Sequence, residues 1–308
     1  MSALARIALV GNSLPRRCGI ATFTSDLQRA IERLPAHEKC SIVAMTDEGR
    51  VYDYPSTVCL QIDDRNPRDY ERVAHTLNRS ACEIVSLQHE FGIFGGEAGS
   101  HILALTSRLA MPLITTFHTV LERPTEEQRR VVGEIVEASA RVIVMAEKGL
   151  ELLRSVYRVE AGKIAVIPHG TPDSAFLEPD DAKQALGFGG RPVILTFGLL
   201  SPGKGIELMI DAMPEILKSN AAAVYVVLGA THPKLVREQG ETYRNGLTAR
   251  VLAHGIEKNV VFLDRFVDQA TLLRFIAMCD VYATPYLKEA QMTSGTLAYS
   301  FGLGKAVV

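Results

Sequence analysis

The sequence is short of several things that would fix its class at once. Its five cysteines (Cys18, Cys40, Cys59, Cys82 and Cys279) are odd in number, scattered, and never in a C-x-x-C pair. That spacing indicates neither a disulfide framework nor a zinc site, and the cysteines read as reduced thiols of a cytoplasmic protein. No apolar stretch approaches the roughly 20 residues that a membrane-spanning helix needs. The opening "MSALARIALVGN" is interrupted by Arg6 and followed by no small-residue cleavage site, so it reads as a first strand and not as a secretory signal. An excess of one charge is missing too. With 33 basic and 35 acidic residues and a net charge of −2, there is no electrostatic footprint for nucleic acid or an anionic membrane. A small soluble partner is favoured. No H-E-x-x-H motif occurs, and no metal is expected.

What is present is a chain of 308 residues, 47% of them apolar, long enough for two domains with separate cores. Short β-branched runs ("RIALVGN", "CSIVAM", "TVCLQID", "EIVSLQH", "PLITTFH", "RVIVMA", "KIAVIPH") alternate with amphipathic stretches such as "ATFTSDLQRAIERL", "PRDYERVAHTLNRS" and "GSHILALTSRLA". Such alternation predicts mostly parallel strands with helices on both faces, and ligands at the carboxyl ends of the strands. The pattern weakens through "SAFLEPDDAKQALGFGG" and restarts at "RPVILTFG", continuing through "AVYVVLGA", "VVFLD", "DVYATP" and "KAVV". We therefore expect an α/β protein of two doubly wound domains, residues 1–172 and 173–308. A doubly wound domain normally covers its last strand with a helix, so the second domain is expected to be incomplete at its C-terminus.

Phosphate-binding chemistry suggests itself in "TFGLLSPGKGIELMI". Gly198, Gly203 and Lys204 fit a P-loop, but Gly205 stands where the magnesium-ligating hydroxyl belongs. Amides from Gly203 to Gly205 and the charge of Lys204 still suit a phosphate at a helix start. A nucleoside triphosphatase is disfavoured, because "VYVVLGA" ends without the aspartate that would complete a magnesium site. A second helix start in "EAQMTSGTLAYSFG" offers Ser294, Gly295 and Thr296, either as ligands or as ordinary caps. After the first strand, the amides of Gly19 and Ile20 could meet an anion, or Gly19 could serve only a turn. His89 and His118 each close a strand and are expected to face one crevice. The glycines of "FGIFGGEAGSH" suggest a binding loop, and "IPHG" (His169, Gly170) a turn between domains.

Taken together, "CGIATF", "IPHG", "FGLLSPGKGIELMI" and "GKAVV", in that order and spread over nearly the whole chain, resemble family 4 of the retaining glycosyltransferases. The resemblance implies the GT-B architecture, with two facing doubly wound domains. It also implies a nucleoside diphosphate sugar as donor on the C-terminal domain, a carbohydrate or lipid-linked acceptor on the N-terminal one, and no cofactor or metal. Any contact with a membrane would be peripheral. By the same resemblance Lys204 would neutralise the leaving diphosphate, with Gly19, Ile20, Gly203, Ser294, Gly295 and Thr296 around it, and His118 would contact the sugar. Two departures stand out. Leu199 occupies the place of the family's arginine, and the paired glutamates fall at Gln291 and Tyr299, leaving Glu289 or Gln291 as the candidate replacement for the first. An altered GT-B protein that binds a nucleotide sugar or a partner is the alternative.

Overall fold

A computed structural model describes residues 6–34, 39–287 and 292–308. The chain forms two compact units, Met1–Pro168 with Ala290–Thr293, and His169–Glu289 with Ser294–Val308. In chain order the first contains β1 (Ile7–Gly11), α1 (Gly19–Glu32), β2 (Cys40–Thr46), β3 (Val58–Asp63), α2 (Pro67–Asn78), β4 (Ile84–His89) and α3 (Leu103–Thr106). It continues with β5 (Leu113–Phe117), α4 (Glu126–Ala138), β6 (Arg141–Val144), α5 (Glu147–Ser155) and β7 (Ile164–Val166). Its seven strands lie in the order β3-β2-β1-β4-β5-β6-β7, each neighbouring pair parallel.

The second unit contains α6 (Pro179–Leu186), β8 (Val193–Phe197), α7 (Ile206–Ser219), β9 (Val224–Leu228), α8 (Pro233–Gln239), α9 (Thr242–His254), β10 (Val260–Leu263), α10 (Gln269–Met278), β11 (Val281–Tyr282), α11 (Gly295–Gly302) and β12 (Ala306–Val307). Its five strands are also all parallel, in the order β10-β9-β8-β11-β12.

The strands read as continuous apolar runs because both sheet faces are covered: every residue of β2 and of β9 is buried. Period-2 alternation then divides each strand between two cores. Val224, Val226 and Leu228 of β9 pack with Phe275 and Ile276 of α10, whereas Tyr225 and Val227 pack with Ile210 and Met213 of α7 and Val251 of α9. Helix starts follow capping chemistry. The Thr125 hydroxyl and the Gln128 side chain form a capping box at α4, and Asn66 caps α2 with Pro67 in its first turn.

Three elements differ from the sequence reading. The segment after the junction forms α6, opened by Pro179 and closed by Gly187 at φ 82°. The stretch "GSHILALTSRLA" holds only the short α3, because Ala98 (φ 52°) and Gly99 (φ 78°) take left-handed turns just before it. "HPKLVREQ" adds α8 before the expected α9.

Candidate active site

In unit 2 the crossovers leave β8 towards β9 and β10 on one side, then return to β11 and β12 on the other. The carboxyl ends of β8 and β11 therefore flank the topological switch point, where open α/β sheets take their ligands. Lys204 follows the first of these ends and Tyr286 the second.

After β8 the chain turns at Gly198, φ 122°. A Cβ there would stand 3.4 Å from Thr296 Cγ2 and 4.0 Å from Lys204 Nζ, so this glycine lies against both. One turn of 3-10 helix, Pro202–Lys204, follows. Within it the Lys204 amide donates to Ser201 O (2.9 Å) and the Gly205 amide to Pro202 O (3.2 Å). This corrects the expected cradle of amides: two of the three from Gly203 to Gly205 are spent on the turn itself. The first turn of α7 also carries Glu207, a poor neighbour for an anion. The loop's contribution to an anion is chiefly the Lys204 ammonium. Gly205 at φ 62° lets the loop press against the chain beyond β11, where a Cβ would fall 1.9 Å from Pro285 O.

That close approach brings Lys204 to Tyr286, a residue sequence reasoning missed. Lys204 Nζ donates to Tyr286 Oη at 2.9 Å and lies 4.2 Å from the ring centroid. The same phenol oxygen meets Thr296 Oγ1 at 2.8 Å and Ser294 Oγ at 3.1 Å. Tyr282 Oη reaches Thr296 Oγ1 at 2.6 Å. Ser294 caps α11, accepting from the Leu297 amide at 3.3 Å, and the first turn of α11 has no acidic residue. The structure thus gathers Lys204, Ser294 and Thr296, with Gly295 between the last two. Burial raises the Tyr286 phenol, but the charge of Lys204 and hydrogen bonds from Lys204, Ser294 and Thr296 outweigh it and bring it down to about 7. The available signal was position alone: "YATPY" follows a strand, and ligands sit at the carboxyl ends of parallel strands.

His169 does more than make a turn. A Cβ on Gly295 would approach its Nε2 to 3.0 Å, so the imidazole lies against the start of α11. Tyr299 is buried in the unit's core, with the His169 ring 6.1 Å away. Glu289 and Gln291 lie outside the described residues. At the ends of β9 and β10, buried Arg244 donates to Gly229 O (2.7 Å) and pairs with Asp264 (2.8 Å), a second arrangement that the sequence did not signal.

In unit 1 the equivalent switch point lies between β1 and β4. The Cys18 thiol caps α1, accepting from the Ala21 amide, and Gly19 and Ile20 form its first turn. Asn12 donates to the same sulfur, Arg16 reaches Asn12, and Arg16 pairs with Asp47 at 2.8 Å. Gly19 is exposed, does not have a positive φ, and a Cβ on it would meet nothing within 4 Å among the described residues. Neither backbone strain nor packing within the chain demands glycine there.

His118, just beyond β5, is half-buried; its Nε2 contacts Gln88 Oε1 at 3.1 Å and its ring packs edge-on against Phe23. His89 does not share its crevice. Adjacent strand residues point to opposite faces, and while Gln88 turns to His118, His89 is fully buried among the rings of Phe91, Phe94 and Phe117. Neither of its ring nitrogens has a hydrogen-bond partner among the described residues, and burial pushes its pKa down to about 3. The neighbouring glycines have a packing role: a Cβ would lie 2.0 Å from Asp64 O at Gly95 and 2.5 Å from Ser100 Oγ at Gly96. Among the described residues no three or more His, Cys, Asp or Glu form a metal-binding group, and no helix is long and apolar enough to cross a membrane.

Known proteins resemble this chain in sequence and in fold. The family described as Glycosyltransferase Family 4 matches residues 19–174, and that described as Glycosyl transferases group 1 matches residues 178–292. A D-inositol 3-phosphate glycosyltransferase of Jonesia denitrificans is 27% identical over 224 residues, covering 66% of this chain and 50% of the relative. A GDP-mannose-dependent alpha-(1-6)-phosphatidylinositol monomannoside mannosyltransferase of Mycolicibacterium smegmatis is 28% identical over 123 residues, 39% of this chain and 29% of the relative. The chain spans half or less of the length of these curated relatives. Among solved structures, Anabaena Alr3699/HepE in complex with UDP and glucose superposes with a TM-score of 0.73 at 15% identity, covering 98% of this chain and 80% of that one. A glycosyltransferase from Rickettsia africae gives 0.70 at 14% identity over 100% and 79%. With one family matched over more than half of its residues and a second over most of the remainder, the chain is a member of Glycosyltransferase Family 4 and has the GT-B fold of two parallel-sheet α/β domains.

Proposed function

We propose that the chain carries the donor and acceptor domains of a retaining glycosyltransferase that moves a hexose from a nucleoside diphosphate sugar to a carbohydrate or lipid-linked acceptor in the cytoplasm. The observation that carries this reading is the placement of Lys204 with Ser294 and Thr296 at the switch point of unit 2. An ammonium beside two hydroxyls and a helix start free of first-turn carboxylates suits the diphosphate of the donor. In this reading residues 173–308 hold the donor and residues 1–172 the acceptor. The bond from the anomeric carbon to the diphosphate oxygen breaks, and the acceptor oxygen bonds to the same face of that carbon. The acceptor's proton passes to the departing phosphate. Lys204 stabilises the charge that develops on the leaving group, the amides of Gly19 and Ile20 and the His118 ring supply further contacts, and Glu289 or Gln291 meets the sugar. Positioning and electrostatic stabilisation do the work, with no metal required.

A second reading, a GT-B protein that binds a nucleotide sugar without turning it over, is favoured by one observation. Tyr299 is buried in the core, where the family's second glutamate would hold ribose. Titration with UDP-, GDP- and ADP-sugars, followed by an assay for slow donor hydrolysis, separates the two. Binding with hydrolysis supports the transferase, and binding without it the altered protein. Absence of binding by every donor overturns both.

A further inference from the structure

The cluster around Lys204 is unbalanced. Lys204 brings three N–H donors and a positive charge, and Tyr282, Tyr286, Ser294 and Thr296 bring four hydroxyls. Among the described residues no carboxylate bonds to any of them. The hydroxyls crowd one another, with Thr296 Oγ1 meeting three others at 2.6, 2.8 and 3.0 Å. Among the described residues this partly buried ammonium has only neutral oxygens around it, an arrangement suited to an anion. An incoming diphosphate can supply one, and so can the phenol of Tyr286 after loss of its proton.

We propose that Tyr286 is an internal competitor of the diphosphate: its hydroxyl holds Lys204, Ser294 and Thr296 in place and, once ionised, pairs with Lys204 where a phosphate would otherwise bind. The proposal rests on the donor site described above. It makes Tyr286 a positioning residue that also sets the pH range in which the donor binds.

The geometry singles out Tyr286 from its neighbour. Of the two phenols it is Tyr286 Oη that accepts from Lys204, whereas Tyr282 is fully buried and its phenol is pushed well up, first by burial. For Tyr286, burial acts in the same upward direction, but the adjacent charge and three hydrogen bonds prevail and place its proton loss near neutrality, at about 7. The titratable groups at this cluster are Lys204 from the loop after β8 and Tyr282 from β11. His169 lies against Gly295 at the start of α11. Lys288 and Glu289 follow in the sequence outside the described residues.

The direction of the effect follows. Below the phenol's titration Tyr286 is neutral, and the charge of Lys204 is available to the ligand. Above it the ligand must displace a phenolate, so donor affinity falls about tenfold per pH unit. A nucleoside diphosphate sugar is the right probe, because its two phosphates keep the same charge across this range.

The test compares wild type with Tyr286→Phe from about pH 6 to about pH 9. It uses tyrosinate difference absorbance and calorimetric titration with UDP-, GDP- and ADP-glucose. One of the nine tyrosines should ionise near neutrality, vanish in the variant, and be suppressed by a saturating sugar nucleotide. Affinity should fall with pH in wild type and stay level in Tyr286→Phe. No tyrosinate below about pH 9, one that survives the substitution, or one that bound ligand leaves unchanged overturns the proposal. If Tyr286→Phe fails to fold, suppression of the wild-type signal by ligand decides alone. Failure of all three sugar nucleotides to bind overturns the donor-site reading itself. Binding that is indifferent to pH overturns only the competition.

Discussion

Lys204 and His89 each stand beyond or at the end of a strand, yet one lies half-buried over the Tyr286 ring among hydroxyls and the other is enclosed by phenyl rings. For Lys204, replacement by alanine should weaken binding of a nucleoside diphosphate sugar by about 1.5–3 kcal/mol, the range of a charge-assisted hydrogen bond. Binding of the free nucleoside should change far less. Calorimetry with both ligands checks this, and equal losses would place Lys204 away from the diphosphate. For His89 the consequence is stability. Its folded pKa is lowered to about 3 by burial, while the unfolded chain titrates at its ordinary value of 6.5. As pH falls below the unfolded value, the unfolded state gains a proton that the folded state refuses, so stability drops until the folded value is reached. Between about pH 7 and about pH 5 the loss is about 2 kcal/mol. His89→Leu should remove it, seen as a shallower acid dependence in denaturant unfolding; parallel profiles would show that the folded protein takes up the His89 proton as readily as the unfolded chain. The sequence made His89 and His118 look alike. Which one lies in the core depends on the face each takes and on aromatics brought in from positions 91, 94 and 117. Lys204 was legible because its glycines mark a loop, whereas Tyr286 was not, because only the folded loop brings it under the ammonium.

At the scale of elements, three helix starts were expected to bind anions, and they differ in kind. α7 opens with a carboxylate and a turn that consumes its own amides; α11 opens with hydroxyls beside a lysine; α1 opens with a thiol cap and an exposed glycine. Sequence reading treated them alike because Gly, Ser and Thr serve as caps and as ligands equally well. It also passed over α6 and α8, whose polar, proline-led segments carry too weak an apolar period, and it lengthened α3 past a left-handed turn that Ala98 gives no reason to expect. Gly19 in α1 can be tested cleanly. A methyl group there meets open space at an ordinary backbone angle, so Gly19→Ala should leave thermal stability unchanged or raise it by up to about 1 kcal/mol through helix propensity. If the Gly19 amide meets an anionic group of the donor, the same methyl should hinder that approach and weaken binding by about 0.5–1.5 kcal/mol, the net worth of a hydrogen bond. Stability and binding measured together decide it: unchanged affinity would reduce Gly19 to an ordinary first-turn residue.

For the whole molecule, alternating apolar runs made two parallel α/β sheets legible, because a parallel strand buried on both faces has no polar side to disguise it. Strand order was not legible, and it is strand order that makes the site. Lys204 and Tyr286 are 82 residues apart and meet only because β8 and β11 are neighbours. Charge is the other global property with a consequence. At a net charge of −2 the protein offers a diphosphate no favourable field at long range, so neutralisation has to be local, from either a bound divalent cation or fixed protein groups. The local groups point to the second. Gly205 holds the position of a P-loop's metal hydroxyl, and its left-handed angle and the 1.9 Å that a Cβ would leave to Pro285 O oppose any side chain there. Lys204 and the start of α11 provide positive potential without a metal. Donor binding and any transfer or hydrolysis should therefore persist in excess chelator, with affinity unchanged within about twofold, less than about 0.5 kcal/mol. Calorimetry and product assays with and without EDTA check this. Loss of activity that magnesium or manganese restores would mean that a cation bridges the diphosphate, and that Lys204 assists it instead of replacing it.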